Sequence, residues 1–174
     1  MLRIAAVPLA VWLVLQGHLV GAFWVFIIAG LSDALDGFIA KRFDMETELG
    51  KYLDPIADKA LLVSVYVTLG VEGHVASWLV ILVVFRDVSI IGGALLFETM
   101  THSLTMQPLT ISKINTAVQI TFAAAAMASI GYGLEWKGAM DLLALATAVT
   151  TVASGLGYAV AWVRNWAQIE EDQK

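Results

Sequence analysis

This 174-residue sequence predicts an all-α integral membrane protein with six transmembrane helices. Three observations lead there. Hydrophobic residues make up 59% of the chain and charged residues only 14%, where a soluble domain carries about 25% charged residues; the mean hydropathy is +0.80. The apolar residues gather into six stretches, near the ~20 residues that a helix needs to cross a bilayer. Finally, four aspartates, Asp33, Asp36, Asp54 and Asp58, fall within 26 residues and load only the second and third stretches.

The first stretch, about residues 2–16, closes on Gln16-Gly17-His18. It carries Arg3 and no small-residue cleavage site clearly follows it, so it reads as a membrane span rather than a signal peptide. The second, 20–41, ends in Lys41-Arg42-Phe43-Asp44, and the third, 50–70, ends at the glycines between Gly70 and Gly73. The fourth runs over 76–98 and leads into the polar segment from Thr99 to Pro108. The fifth, 112–132, and the sixth, 140–164, are separated by Gly131 to Gly138. The acidic tail Glu170-Glu171-Asp172 reads as a solvated end. Trp12, Trp24, Trp78, Trp136, Trp162 and Trp166 fall mostly near span ends, where indoles anchor helices at the membrane interface. No internal repeat is visible, and residues 1–174 read as a single domain.

Composition excludes several classes. There is no cysteine, hence no disulfide or thiolate chemistry. With a net charge of −5 and no basic run, no nucleic-acid partner is expected. Six spans put both termini on one side, together with Arg3, Lys41, Arg42, Lys51, Lys113, Arg164 and Lys174, against Lys137 alone on the other. By the positive-inside rule that side is cytoplasmic, and the aspartates then lie at the cytoplasmic ends of spans two and three. No organelle-targeting segment is evident, which favours a bacterial inner membrane.

A carboxylate in hydrocarbon is costly, and ionisable residues within spans are functional candidates. Asp33 and Asp36 are three apart and Asp54 and Asp58 four apart, so each pair shares a helix face, and the short connection between the two helices brings the faces together as an antiparallel pair. All-oxygen ligands of this number suit a hard cation such as Mg²⁺, Mn²⁺ or Ca²⁺. A blander alternative pairs each aspartate with Lys41, Arg42, Lys51 or Lys59. Gly37 and Gly50 stand near aspartates, where a missing side chain lets a ligand reach the backbone. Gly30, Gly92, Gly93, Gly155 and Gly157 have the ordinary reading of small residues that let helices approach.

The run from Asp33 to Asp58 reads D-A-L-D-G-F-I-A-K, eight residues, then G-K-Y-L-D-P-I-A-D. It resembles the signature of the CDP-alcohol phosphatidyltransferase family, D-x2-D-G-x2-A-R-x8-G-x3-D-x3-D. Asp33, Asp36, Gly37, Ala40, Gly50, Asp54 and Asp58 match, and Lys41 stands where the family has Arg. Lysine keeps the charge without the bidentate fork, and Arg42 beside it is the substitute. The resemblance implies transfer of a phosphatidyl group from CDP-diacylglycerol to an alcohol with release of CMP. It also implies two divalent ions, Mg²⁺ or Mn²⁺, on Asp33, Asp36, Asp54 and Asp58, with Asp58 as the base. Gly37, Ala40, Lys41, Arg42 and Gly50 would contact the CDP-lipid. A six-helix membrane fold and a homodimer are implied as well.

For the acceptor, Arg86 in the fourth span and Lys113 at the start of the fifth are candidate phosphate binders. The alternative is that Arg86 pairs with Asp87 or an active-site aspartate and that Lys113 marks the membrane edge. The segment Ile111-Ser112-Lys113-Ile114-Asn115-Thr116-Ala117-Val118-Gln119 resembles I-S-K-V-N-T-A-V-Q of CMP-forming cardiolipin synthases. Phosphatidylglycerophosphate synthases instead more often show G-K-x-K-T there, and R-E-x6-R in the fourth span, whose second Arg falls at Ala94 here. A site lacking that cation favours a monoanionic lipid phosphodiester over a small dianion. Phosphatidylglycerol is therefore the expected acceptor and cardiolipin the product, with glycerol 3-phosphate the alternative. From another class, a divalent-cation transporter also fits intramembrane carboxylates, but transporters often show repeats and broken helices. His18, His74 and His102 fall in expected loops and carry no assigned role.

Overall fold

The computed structural model describes the backbone of residues 2–43, 48–101 and 110–172, and the side chains of residues 5–32, 35, 59–93 and 110–164. Six α-helices account for the described chain: α1 (Leu2–Leu15), α2 (Leu19–Phe43), α3 (Glu48–Val71), α4 (Ser77–Thr101), α5 (Thr110–Gly131) and α6 (Lys137–Asp172). No strand occurs among the described residues. The expected breaks at 16–18, 70–73 and 131–138 coincide with the observed turns. The last helix runs further than expected, through the acidic tail to Asp172.

The turns after α1, α3 and α5 share one construction. Gly17, Gly73 and Gly133 adopt left-handed φ of 73°, 73° and 66°, conformations open to glycine because it lacks Cβ. In each turn the next residue reaches back five positions: His18 N donates to Leu13 O at 2.8 Å, His74 N to Leu69 O at 2.8 Å and Leu134 N to Ser129 O at 2.7 Å. The glycine N–H itself reaches back three, to Val14, Gly70 and Ile130. These are Schellman caps, which satisfy the last carbonyls of each helix as the chain turns back.

His18 and Val20 at the start of α2, His74 beyond the end of α3, and Ile130 and Gly131 at the end of α5 line a common cleft of about 490 Å³. Odd-numbered helices therefore finish, and α2 begins, at this glycine-capped end. The C-terminal half of α2 and the N-terminal half of α3, which carry the aspartates, run to the other end.

Packing follows the distribution of small and large side chains. α1 lies against both α2 and α3, α2 against α5, α5 against α6, and α4 against α3 and α6. Ala6 and Ala10 on α1 and the stripe Leu19, Ala22, Phe26 and Ala29 on α2 are all buried in one core. From α3 come Leu61, Leu62, Val65, Tyr66 and Leu69, and from α5 Phe122, Ala123, Ala126 and Met127. The outward faces are also apolar: Leu142, Leu145, Val149, Val152, Leu156, Val160 and Val163 form an exposed stripe along α6. Among the described residues, Thr110–Gly131 and Lys137–Arg164 are long and apolar enough to cross a membrane; Ala5–Leu15, Leu19–Ser32 and Lys59–Val71 are shorter apolar stretches.

At Gly131 a Cβ would stand 2.9 Å from Val20 N and 3.2 Å from Leu19 C, both backbone atoms. Because backbone yields less readily than a side-chain tip, Gly131→Ala is expected to cost about 1–3 kcal/mol by overpacking. Gly138→Ala, with nothing within 4 Å, should stay within about 0.5 kcal/mol of wild type. Thermal unfolding of the two variants in detergent checks the contrast.

Candidate active site

The backbone of α2 carries Asp33, Asp36, Gly37, Ala40, Lys41 and Arg42, and that of α3 carries Gly50, Asp54 and Asp58. Their side chains lie outside the described residues. What the structure places is the scaffold: carboxylates at i, i+3 on a helix leaving the glycine-capped end, and at i, i+4 on a helix returning to it. An all-oxygen donor set on two such helices fits hard divalent cations. Among the described residues no three of His, Asp and Glu lie close enough together to hold a metal ion.

Lys59, one residue after Asp58, joins a largely buried network. Lys59 Nζ lies 2.9 Å from Asp87 Oδ1. Arg86 Nη1 donates to the same oxygen at 2.5 Å. Arg86 Nη2 donates to Ser112 Oγ of α5 at 2.6 Å and to Ser154 Oγ of α6. The Arg86 stem passes Gly155 at 3.8 Å from where a Cβ would stand, and its Cζ lies 5.9 Å from the Tyr158 ring centroid. Arg86 and Asp87 are only 4% and 2% exposed. This cluster of two cations and one carboxylate joins α3, α4, α5 and α6.

A polar seam continues inward from it. Asn115 Oδ1 accepts from Thr150 and Thr151 at 2.9 Å each, Gln119 Nε2 donates to Thr151 Oγ1 at 3.3 Å, and Tyr66 OH donates to Gln119 O at 3.0 Å. Asn115, Gln119, Thr147, Thr151 and Ser154 are fully buried. Arg86 Nε, Asn115 Nδ2 and Gln119 Oε1 are buried and have no hydrogen-bond partner among the described residues.

The sequence candidates for the acceptor thus separate. Arg86 is interior, paired with Asp87 as one of the two sequence readings held. Lys113 is exposed in the first turn of α5, next to the serine that Arg86 holds. Lys59, a candidate partner for the aspartates, reaches Asp87. Sequence reasoning gave no part to Ser154, although Thr147, Thr151, Ser154 and Tyr158 recur at helical spacing inside an otherwise apolar span; that polar stripe was the available signal.

Comparison with known proteins shows the family. The family model for CDP-alcohol phosphatidyltransferase matches residues 1–163. The chain is 33% identical to a rat protein named cardiolipin synthase (CMP-forming), over 91% of this chain and 58% of that protein. It is 32% identical to a chloroplastic CDP-diacylglycerol–glycerol-3-phosphate 3-phosphatidyltransferase of Oryza sativa subsp. japonica, over 91% and 54%. A Bacillus subtilis protein named for the same glycerol-3-phosphate activity is 32% identical, over 88% and 77%. The chain therefore spans little more than half the length of the rice and rat relatives.

Removing one partner of a buried ion pair leaves the other charge uncompensated, at about 3–5 kcal/mol. Asp87→Asn should accordingly destabilise the protein strongly. Lys59→Met should cost less, because its side chain is 30% exposed and water takes over part of its solvation. Thermal midpoints of the two variants in one detergent give the comparison.

Proposed function

The chain belongs to the CDP-alcohol phosphatidyltransferase family, and from that premise we propose that it transfers a phosphatidyl group from CDP-diacylglycerol to phosphatidylglycerol, forming cardiolipin and CMP. The observation that carries the acceptor is the start of α5, where Ile111 to Gln119 resembles the cardiolipin synthases. Its setting supports the choice. Arg86 spends its charge on buried Asp87, while Lys113 stands exposed beside it, and a single exposed cation suits a monoanionic phosphodiester. Ala94, where a second arginine would favour a dianion, points the same way.

In this reading six membrane-spanning helices form the domain, with the aspartates at the cytoplasmic side and both termini in the cytoplasm. Asp33, Asp36, Asp54 and Asp58 would hold two divalent ions, Mg²⁺ or Mn²⁺, whose positive charge would offset the negative charge of the CDP pyrophosphate and of the oxygens that gain charge in the transfer. Gly37, Ala40 and Gly50 leave room for the CDP-lipid backbone and base, and Lys41 and Arg42 add positive charge at its phosphates. Asp58 accepts the proton of the phosphatidylglycerol headgroup hydroxyl. That oxygen forms its bond to the diacylglycerol-linked phosphorus as the bond to the CMP oxygen breaks, and CMP leaves. Lys113 meets the acceptor phosphate, and Arg86, engaged by Asp87, Ser112 and Ser154, serves it from behind the first turn of α5. A homodimer completes the assignment.

The second reading keeps every step and changes the acceptor to glycerol 3-phosphate, supported by the 32% identity to the rice and Bacillus subtilis relatives named for it.

CMP release by purified protein decides between them, with CDP-diacylglycerol, Mg²⁺ or Mn²⁺, and the two acceptors offered separately. Cardiolipin from phosphatidylglycerol, identified by mass, is the expected product; turnover of glycerol 3-phosphate alone would move the chain to the second reading. Asp58→Asn is expected to lower kcat by about 100-fold or more, the usual contribution of a positioned base. Because Asp33, Asp36 and Asp54 remain, CDP-lipid binding should largely persist, and equilibrium binding of CDP-diacylglycerol measures that half.

A further inference from the structure

Lys113 stands at the first turn of α5, and what holds that turn is a buried guanidinium from another helix. Arg86 leaves α4 into the interior, gives Nη1 to Asp87, and gives Nη2 to Ser112 at 2.6 Å and to Ser154. Both terminal nitrogens of its fork are engaged within the protein, its stem passes Gly155, and its guanidinium carbon lies 5.9 Å from the Tyr158 ring centroid. A side chain so enclosed is suited to fixing helices in register, and poorly suited to following a substrate.

Ser112 directly precedes Lys113. Successive residues leave a helix about 100° apart, so a bond that fixes Ser112 inward also fixes the direction in which Lys113 leaves the helix. The same turn is braced one step further on, where Asn115 accepts from Thr150 and Thr151 of α6. We propose that Ser112 is a positioning residue for the acceptor: by accepting a hydrogen bond from Arg86 it sets the rotation of the first turn of α5 and thereby aims Lys113 at the acceptor phosphate. Arg86 then acts at one remove, through Ser112. The inference rests on the reading of Lys113 as the cation that meets that phosphate.

The test uses the full chain in mixed micelles, with CMP release followed while the acceptor and then CDP-diacylglycerol are varied. Ser112→Ala is expected to raise the acceptor KM about tenfold, the scale of one lost charge-assisted hydrogen bond, with kcat and the CDP-diacylglycerol KM within about twofold of wild type. Ser112→Thr keeps the hydroxyl and should restore the acceptor KM. Ser154→Ala removes a partner of the same nitrogen without touching α5, so its acceptor KM should stay near wild type. The proposal is overturned by an unchanged acceptor KM in Ser112→Ala, by a parallel fall in kcat, by failure of threonine to rescue, or by an equal rise in Ser154→Ala. The series is run with whichever of phosphatidylglycerol and glycerol 3-phosphate the wild type consumes, so a wrong acceptor assignment leaves it readable. Failure of the Lys113 reading shows separately, as an acceptor KM that Lys113→Ala does not move.

Discussion

Two cations share one oxygen of a buried carboxylate, and the packing of four helices turns on that arrangement. Asp87 Oδ1 receives Lys59 from α3 and Arg86 from its own helix, and Arg86 then reaches α5 and α6. Burying ionised groups is costly, and an apolar replacement of matching volume is often no less stable. What such a cluster supplies is geometry. Charge in a low-dielectric interior has few acceptable neighbours, so Arg86 tolerates only rotations of α5 and α6 that bring Ser112 and Ser154 to it. Among the described residues the cluster holds two cations and one carboxylate, with Lys59 on the helix that carries Asp54 and Asp58.

The polar seam between α5 and α6 extends the same logic. In a chain whose outer faces are as apolar as its core, hydrophobic burial distinguishes weakly between facing a neighbour and facing lipid. Leu142, Leu145 and Val149 on α6 are exposed, while Thr147, Thr151 and Ser154 on the same helix are fully buried against Asn115, Gln119 and Arg86. Polar side chains thus mark the inner face, the inverse of the pattern in a soluble bundle, where apolar residues mark it. At the glycine-capped end the task is different: three Schellman turns return the chain within a few residues, and Gly131 lets α5 press on the backbone at the start of α2.

The two ends of the bundle therefore have different designs. One is closed by short turns and close backbone approach. At the other lie the stretches of α2 and α3 whose sequence carries the aspartates, and Arg86 holds Ser112 at the start of α5. In the proposed reaction the donor site draws on α2 and α3 and the acceptor site on α4 and α5, so Lys59, one residue after Asp58 and paired with Asp87, is one polar link between the two halves, as Tyr66 on Gln119 is another.

Much of this was legible in the residues. The six helices and most of their ends follow from hydropathy and from glycines at three of the turns, because long apolar stretches satisfy their backbone internally as helices; among the described residues two of the six are also long and apolar enough to cross a membrane. The spacing of Asp33, Asp36, Asp54 and Asp58 placed each pair on one helix face and carried the family, since that motif is local in sequence. The outer end of α6 was less legible, because polar residues can continue a helix as readily as leave it. Tertiary structure alone decided that Arg86 points inward, that Lys59 joins it on Asp87, and that Ser112 and Ser154 are its other partners. Those contacts link residues as far as 68 positions apart and depend on how each helix is rotated about its axis. Helices apolar on nearly every face leave that rotation open until the buried charges and hydroxyls find one another.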